Sequence, residues 1–224
     1  MKKTTALSLT EALRIFIQDS TQGRRKISAA KPVSHGTITN YQYCLRLIKL
    51  YEAHAGKLLN IPMTQRKAAN PLSTGHRWWK SFYRHFTQFL LQHLGCSDNY
   101  AANNLKTLKT AMRYLQIEKG WPISQGYQQA GIARQQSLPI VLSPEQMHQL
   151  IYDTAFEENL GASLRKAKDL IVFGCSTGLR ISDLQRLRKT AVSIVGEDAY
   201  LQCYTQKTGN AVQLVLPDYC MAIL

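Results

Sequence analysis

The stretch Thr177-Gly-Leu-Arg-Ile-Ser-Asp-Leu-Gln-Arg-Leu187 sits where the chain changes its period. Before it, from about residue 161 to 175, the pattern is helical and ends in a glycine-containing turn that begins at Gly174. After it the apolar period falls from 3.6 to 2, and Ala191-Val-Ser-Ile-Val195, Tyr200-Leu-Gln-Cys-Tyr204 and Val212-Gln-Leu-Val-Leu216 read as three short strands. Gly-Glu-Asp at 196–198 and Lys207-Thr-Gly-Asn210 are their turns, the second a strong hairpin signal. Upstream, Ser143 is placed as an N-cap with Pro144 at the first helical position. Helices followed by a small antiparallel sheet predict a mainly α, α+β module over residues 140–224.

Ahead of it, residues 120–139 are rich in Gly, Pro, Gln and Ser without a clean period, which reads as a linker. Residues 1–119 carry four helical patterns. Ser8 and Glu11 form a capping box before Leu9, Leu13, Phe16 and Ile17. The second runs from about Thr37 to His54 on Ile38, Tyr41, Leu45 and Ile48. Trp79, Phe82, Phe86 and Phe89 mark the third, near 76–94. The fourth is capped by Ser97 or Asp98, presents Ala102, Leu105, Leu108, Met112 and Leu115, and stops at Gly120 with Pro122 beyond.

Charge divides along the same boundary. Of the 224 residues, 1–137 hold 20 Lys and Arg against 5 Asp and Glu, whereas 138–224 hold 8 against 9. The whole positive field therefore belongs to the helical module, and such a field selects a polyanion. An apolar content of 45% excludes a disordered tail. No apolar run is long enough to span a bilayer, and the opening Met-Lys-Lys-Thr-Thr turns polar before a signal-peptide core forms, so a cytoplasmic location is expected. Cys44, Cys96, Cys175, Cys203 and Cys220 are odd in number with no CxxC, which predicts reduced thiols and no zinc framework.

The polar helix faces identify the polyanion. On the fourth helix Asn103, Lys106, Lys109, Thr110 and Arg113 fall together, and no acid lies between Asp98 and Glu118. The second helix offers Asn40, Gln42, Arg46 and Lys49, the third Arg77, Lys80 and Arg84. Lysine and arginine neutralise phosphates, while asparagine and arginine read base edges. A merely solvated face mixes both signs, and this module is depleted of acids. Binding to a membrane surface needs exposed aromatics opposite lysines; Trp78 and Trp79 stand at core spacing instead. Double-stranded DNA is the expected partner, with no membrane.

Two motif matches mislead. Ser163-Leu-Arg-Lys166, Ser97-Asp-Asn99 and Lys207-Thr-Gly209 match the three signatures of serine β-lactamases, but in the wrong order and across two modules. Gly174 and Gly178 belong to neither GxxxxGK[ST] nor GxGxxG.

The Thr177–Leu187 motif, followed by Thr205-Gln-Lys-Thr-Gly209 in a hairpin, resembles the first half of a tyrosine recombinase (phage-integrase family) catalytic domain. The preceding module resembles that family's four-helix, SAM-like core-binding domain, and the surrounding wording resembles integrases of Bacteroides-type mobile elements. The resemblance implies a site-specific recombinase that cleaves and rejoins DNA through a phosphotyrosine intermediate. It implies that Arg180 clamps the scissile phosphate, that Asp183 supports this arginine, and that Lys207 protonates the departing 5′-oxygen. No metal, nucleotide or other small-molecule cofactor is implied, and self-association on DNA is. None of His35, His54, His76, His85, His93 and His148 begins the family's HxxR, and Tyr200, Tyr204 and Tyr219 cannot be assigned its nucleophile. The resemblance therefore predicts an incomplete catalytic domain, inactive alone. It leaves two readings: an enzyme fragment, or a catalytically dead DNA-binding remnant that occupies recombination sites.

Overall fold

A computed structural model describes residues 7–28, 31–63, 74–129, 131, 135–136 and 138–223. The chain divides into two compact units, Met1–Ser137 and Leu138–Leu224.

The first unit contains α1 (Leu9–Thr21), a short antiparallel pair β1 (Lys26–Ser28) and β2 (Lys31–Pro32), α2 (His35–Ala55), α3 (Thr74–Gln88) and α4 (Asp98–Ile117). The Ser8, Ser34 and Ser97 side chains each accept a backbone N–H in the first turn of α1, α2 and α4, satisfying donors the helix leaves open. A π-helical turn, Phe89–His93, extends α3. The expected apolar stripes meet in one core, where Phe16, Ile48, Trp79, Phe86, Leu108, Met112 and Leu115 are fully buried. Trp79 is thus core, and Trp78 stacks on Phe82 at 5.4 Å. The four helices match the sequence patterns; the β1–β2 pair carries no periodic signal and was not expected.

The stretch read as a linker is part of this core in its first half. Ile123 and Tyr127 are buried, the second in a 3₁₀ turn (Gln125–Gln129) against α3. Tyr83 Oη donates to the Tyr127 carbonyl at 2.8 Å, and Tyr127 Oη donates to Gln116 Oε1 at 2.6 Å. A Cβ at Gly126 would stand 2.8 Å from His76 Cα, so glycine is what allows this close approach. Its Gly, Gln and Ser content resembles a linker, but single apolar anchors at irregular spacing fold it back. The boundary between units, after Ser137, falls within the 120–139 stretch.

Asp19, at the end of α1, is the buried electrostatic centre of the unit. Its carboxylate accepts from Tyr114 Oη (2.8 Å) and pairs with Lys119 Nζ (2.9 Å) and Arg24 Nε (2.6 Å). Burial works to raise its pKa, but the hydrogen bonds from Lys119, Tyr114 and Arg24 together hold it below the ordinary carboxylate value.

The second unit holds α5 (Pro144–Tyr152), α6 (Thr154–Glu158), α7 (Ala162–Thr177), α8 (Ile181–Leu184), β3 (Val192–Val195), β4 (Asp198–Tyr204), β5 (Ala211–Leu216) and α9 (Asp218–Met221). Ser143 and Gln146 complete a reciprocal capping box with Pro144 in the first turn. The sheet is antiparallel in the order β3-β4-β5, with Val192 opposite Leu201 and Leu201 opposite Leu214. Ala199, Leu201 and Leu216 pack with Phe173 of α7 and Cys220 of α9. The mainly α fold with a small antiparallel sheet is as expected. Leu164, Ile171, Ile194 and Val215 stay exposed around this small core. All five cysteines are free thiols, and among the described residues no helix is long and apolar enough to cross a membrane.

All three tryptophans (Trp78, Trp79, Trp121) lie in the first unit, so their fluorescence reports its unfolding alone. Asp19→Asn is expected to lower its stability in urea by about 2 kcal/mol, because buried donors lose an ionised acceptor. The folded-state pKa of Asp19 is depressed, so its contribution is present above the unfolded value near ~3.9 and is lost as pH falls through the folded one. The variant should lack this acid-limb loss.

Candidate nucleic-acid interface and phosphate site

α2 and α4 pack side by side, with the buried Cys44 Sγ 3.6 Å from the Asn104 carbonyl. Above this contact a groove of about 430 Å³ opens, lined from α2 by Thr37, Asn40 and Tyr43 and from α4 by Tyr100, Asn103, Lys106, Thr107 and Thr110. Positions 100, 103, 107 and 110 recur at helical spacing, which places them on one face of α4 while Leu105, Leu108 and Met112 turn inward. Lys106 and Thr110 also line a second cleft of about 480 Å³ that adds Lys109, Arg113, Tyr127 and Gln128.

The structure therefore brings together Asn40, Asn103, Lys106, Lys109 and Arg113 of the expected DNA-binding residues. Arg46, Lys49, Lys80 and Arg84 are exposed but line neither cleft. Lys106, Lys109 and Arg113 form no ion pair with a carboxylate among the described residues, so the cleft keeps its positive charge. Tyr43, Tyr100 and Thr107 were missed from the sequence. Tyr43 and Tyr100 are 52% and 41% exposed, and lying off the apolar stripe was the only signal they gave.

In the second unit Arg180 is the N-cap of α8 and its side chain is exposed. Its carbonyl accepts the Asp183 and Leu184 N–H groups at 2.8 and 2.9 Å. Asp183 is buried, and its Oδ1 accepts the Gln206 N–H at 2.8 Å. That bond ties α8 to the turn whose next residue is Lys207. The turn is held from inside: Thr205 N–H donates to the Asn210 carbonyl (2.9 Å), Gly209 N–H to the Thr205 carbonyl (2.8 Å), and Asn210 N–H to Thr205 Oγ1 (3.1 Å). Gly209 has φ +72°, a left-handed value that favours glycine in this hairpin. Lys207 is left exposed at the tip.

Asp183 was expected to support Arg180, yet no hydrogen bond joins the two side chains among the described residues. The carboxylate bonds the hairpin at Gln206, and Asp183 meets Arg180 through its own N–H, which donates to the Arg180 carbonyl. Its Oδ2 is buried with no hydrogen-bond partner among the described residues. Burial, then the nearby Asp183 carboxylate, push the Cys203 thiol pKa up. Tyr200 and Tyr204 lie on β4, and Tyr219 on α9 has its hydroxyl 3.2 Å from Ser176 Oγ. Among the described residues no three His, Cys, Asp or Glu side chains are grouped to hold a metal.

No protein-family model and no curated protein matches this sequence. Among solved structures, the chain is similar to the site-specific recombinase XerH bound to palindromic difH substrate in a post-cleavage complex. The TM-score is 0.63 at 14% identity, over 99% of this chain and 69% of that one. XerH bound to difH in a pre-cleavage complex gives 0.51 at 14% identity, over 96% and 67%. The likeness is one of fold: this chain shares the fold of those recombinase structures.

Asp183→Ala should release the Gln206 amide. A hydrogen bond to an ionised carboxylate contributes about 1.5–3 kcal/mol, so exchange at that amide should speed up roughly ten- to hundredfold. Asp183→Asn, which keeps an acceptor oxygen, should show a smaller change by hydrogen-exchange mass spectrometry.

Proposed function

We propose that this chain binds double-stranded DNA as part of a tyrosine site-specific recombinase, the first unit gripping the duplex and the second meeting a backbone phosphate. The observation that carries the reading is the acid-free, cation-lined pair of clefts along α4, in a chain of recombinase fold. Lys106, Lys109 and Arg113 neutralise phosphates and set register; Arg46, Lys49, Lys80 and Arg84 add outlying backbone contacts. Arg180 forms bidentate bonds to the scissile phosphate and stabilises the charge that builds on it during displacement. Lys207, held by the Thr205 turn and the Asp183 bond, delivers a proton to the departing 5′-oxygen. Asp183 is a positioning residue for that lysine.

A second reading has its own observation. The sequence contains no HxxR and no tyrosine assignable as the nucleophile. On these residues alone a phosphate is held but no strand is broken, and the protein occupies recombination sites without cutting them. A nicked suicide duplex separates the two readings when this sequence is joined to residues that supply HxxR and the tyrosine: a covalent protein–DNA adduct that Arg180→Ala abolishes marks the enzyme, and a salt-sensitive complex without adduct marks the occupant.

The common part is tested by a gel-shift salt series. The wild-type chain should show a steep loss of affinity with salt. Lys106→Ala combined with Arg113→Ala should weaken binding and reduce the slope of log K against log salt by about 2. An unchanged slope would move the DNA to another face, and no salt-dependent complex on any duplex would overturn the reading.

A further inference from the structure

The groove between α2 and α4 holds a particular set of chemistries. Asn40 is exposed on the α2 wall and Asn103 on the α4 wall. The Thr107 hydroxyl donates to the Asn103 carbonyl at 3.2 Å and the Thr110 hydroxyl to the Lys106 carbonyl at 2.9 Å. Both hydroxyl protons are thus spent on their own helix, so these residues offer a ligand no donor, only a methyl group and an acceptor oxygen. Asn104 likewise gives its amide to the Tyr100 carbonyl at 2.9 Å and stays on the buried floor. Among the described residues no arginine and no carboxylate lines the groove.

Lys106 on the same wall serves the phosphates in the reading above, and the amides, methyls and tyrosine rings that remain have one natural complement on a duplex. An asparagine amide donates to adenine N7 and accepts from adenine N6, a bidentate match in the major groove. Threonine methyls and tyrosine rings make apolar contact with the thymine C5-methyl. Arginine, the commonest reader of guanine, is confined to the neighbouring cleft, where Arg113 stands beside Lys109. The geometry points to a groove that reads adenine–thymine pairs through their major-groove edges, with Asn40 as the adenine reader and Thr107 as a thymine-methyl contact. This rests on the DNA-binding reading above and adds to it the base pair recognised.

The test is competition between A·T-rich and G·C-rich duplex pools of equal length at one salt concentration, read by fluorescence anisotropy. A preference of about tenfold for the A·T pool is expected. In the preferred duplex, 7-deazaadenine removes the N7 acceptor and uracil removes the thymine methyl. Each should cost several-fold in affinity. Asn40→Ala should abolish the 7-deazaadenine penalty, and Thr107→Ser, which keeps the back-bonded hydroxyl, should shrink the uracil penalty. Both residues are on the surface of their helices, so folding should survive. Salt-dependent binding with no base preference, with a G·C preference, or with indifference to both modified bases overturns this inference and leaves DNA binding standing. Absence of salt-dependent binding to either pool overturns the DNA-binding reading itself.

Discussion

A buried carboxylate, Asp19, joins α1 to α4 in the helical unit. Tyr114 from α4, Lys119 from just beyond it and Arg24 from the turn after α1 all converge on its two oxygens. The aromatic layer beneath repeats the same connection: Phe16 of α1 meets Tyr41 of α2 at 4.7 Å and Tyr114 of α4 at 5.6 Å. Arg25 lies over the Phe16 ring at 4.8 Å. α1, α2 and the distant α4 are thereby joined to one another, and a buried charge so satisfied tolerates few alternatives.

The two halves of the candidate site are built by opposite means. On α4, one continuous helix sorts side chains by angle, apolar residues inward and Asn103, Lys106, Thr110 and Arg113 outward, so packing the core also assembles the candidate face. Around Arg180 no single element suffices. A short helix and a hairpin, separated in sequence by a whole strand, are brought together by the Asp183–Gln206 hydrogen bond. The Thr205 side chain, hydrogen-bonded within its own turn, keeps the hairpin tip stiff enough for Lys207 to have a defined place.

What the sequence made readable is what local chemistry decides. Ser143 with Pro144, the Lys207-Thr-Gly209 turn and the apolar stripes of the four main helices follow from capping, backbone freedom and period, each within a few residues. The return of Trp121, Ile123 and Tyr127 onto α3 was not readable, because its apolar anchors have no period and its partners lie many residues upstream. The same limit hid the groove. Asn40 and Asn103 could be named as polar helix residues, but only the packing of Cys44 against the Asn104 carbonyl brings them to one cleft with Tyr43 and Tyr100. Asp183 could be named from its motif, while its bond to Gln206 depends on how the sheet meets α8.

The unequal charge of the two units has a kinetic meaning. A field concentrated in residues 1–137 accelerates first encounter with a polyanion for that unit alone, and the near-neutral remainder contributes little to capture. In the DNA-binding function proposed above, the second unit no longer searches solution once the helical unit is seated. Its chance of meeting a phosphate is set by the covalent connection, as an effective concentration of about millimolar for a short link. A group such as Arg180 then needs only weak affinity of its own for the strand. Weak grip is an advantage there, since a unit that lets go easily can exchange one phosphate for another without the whole chain leaving the duplex.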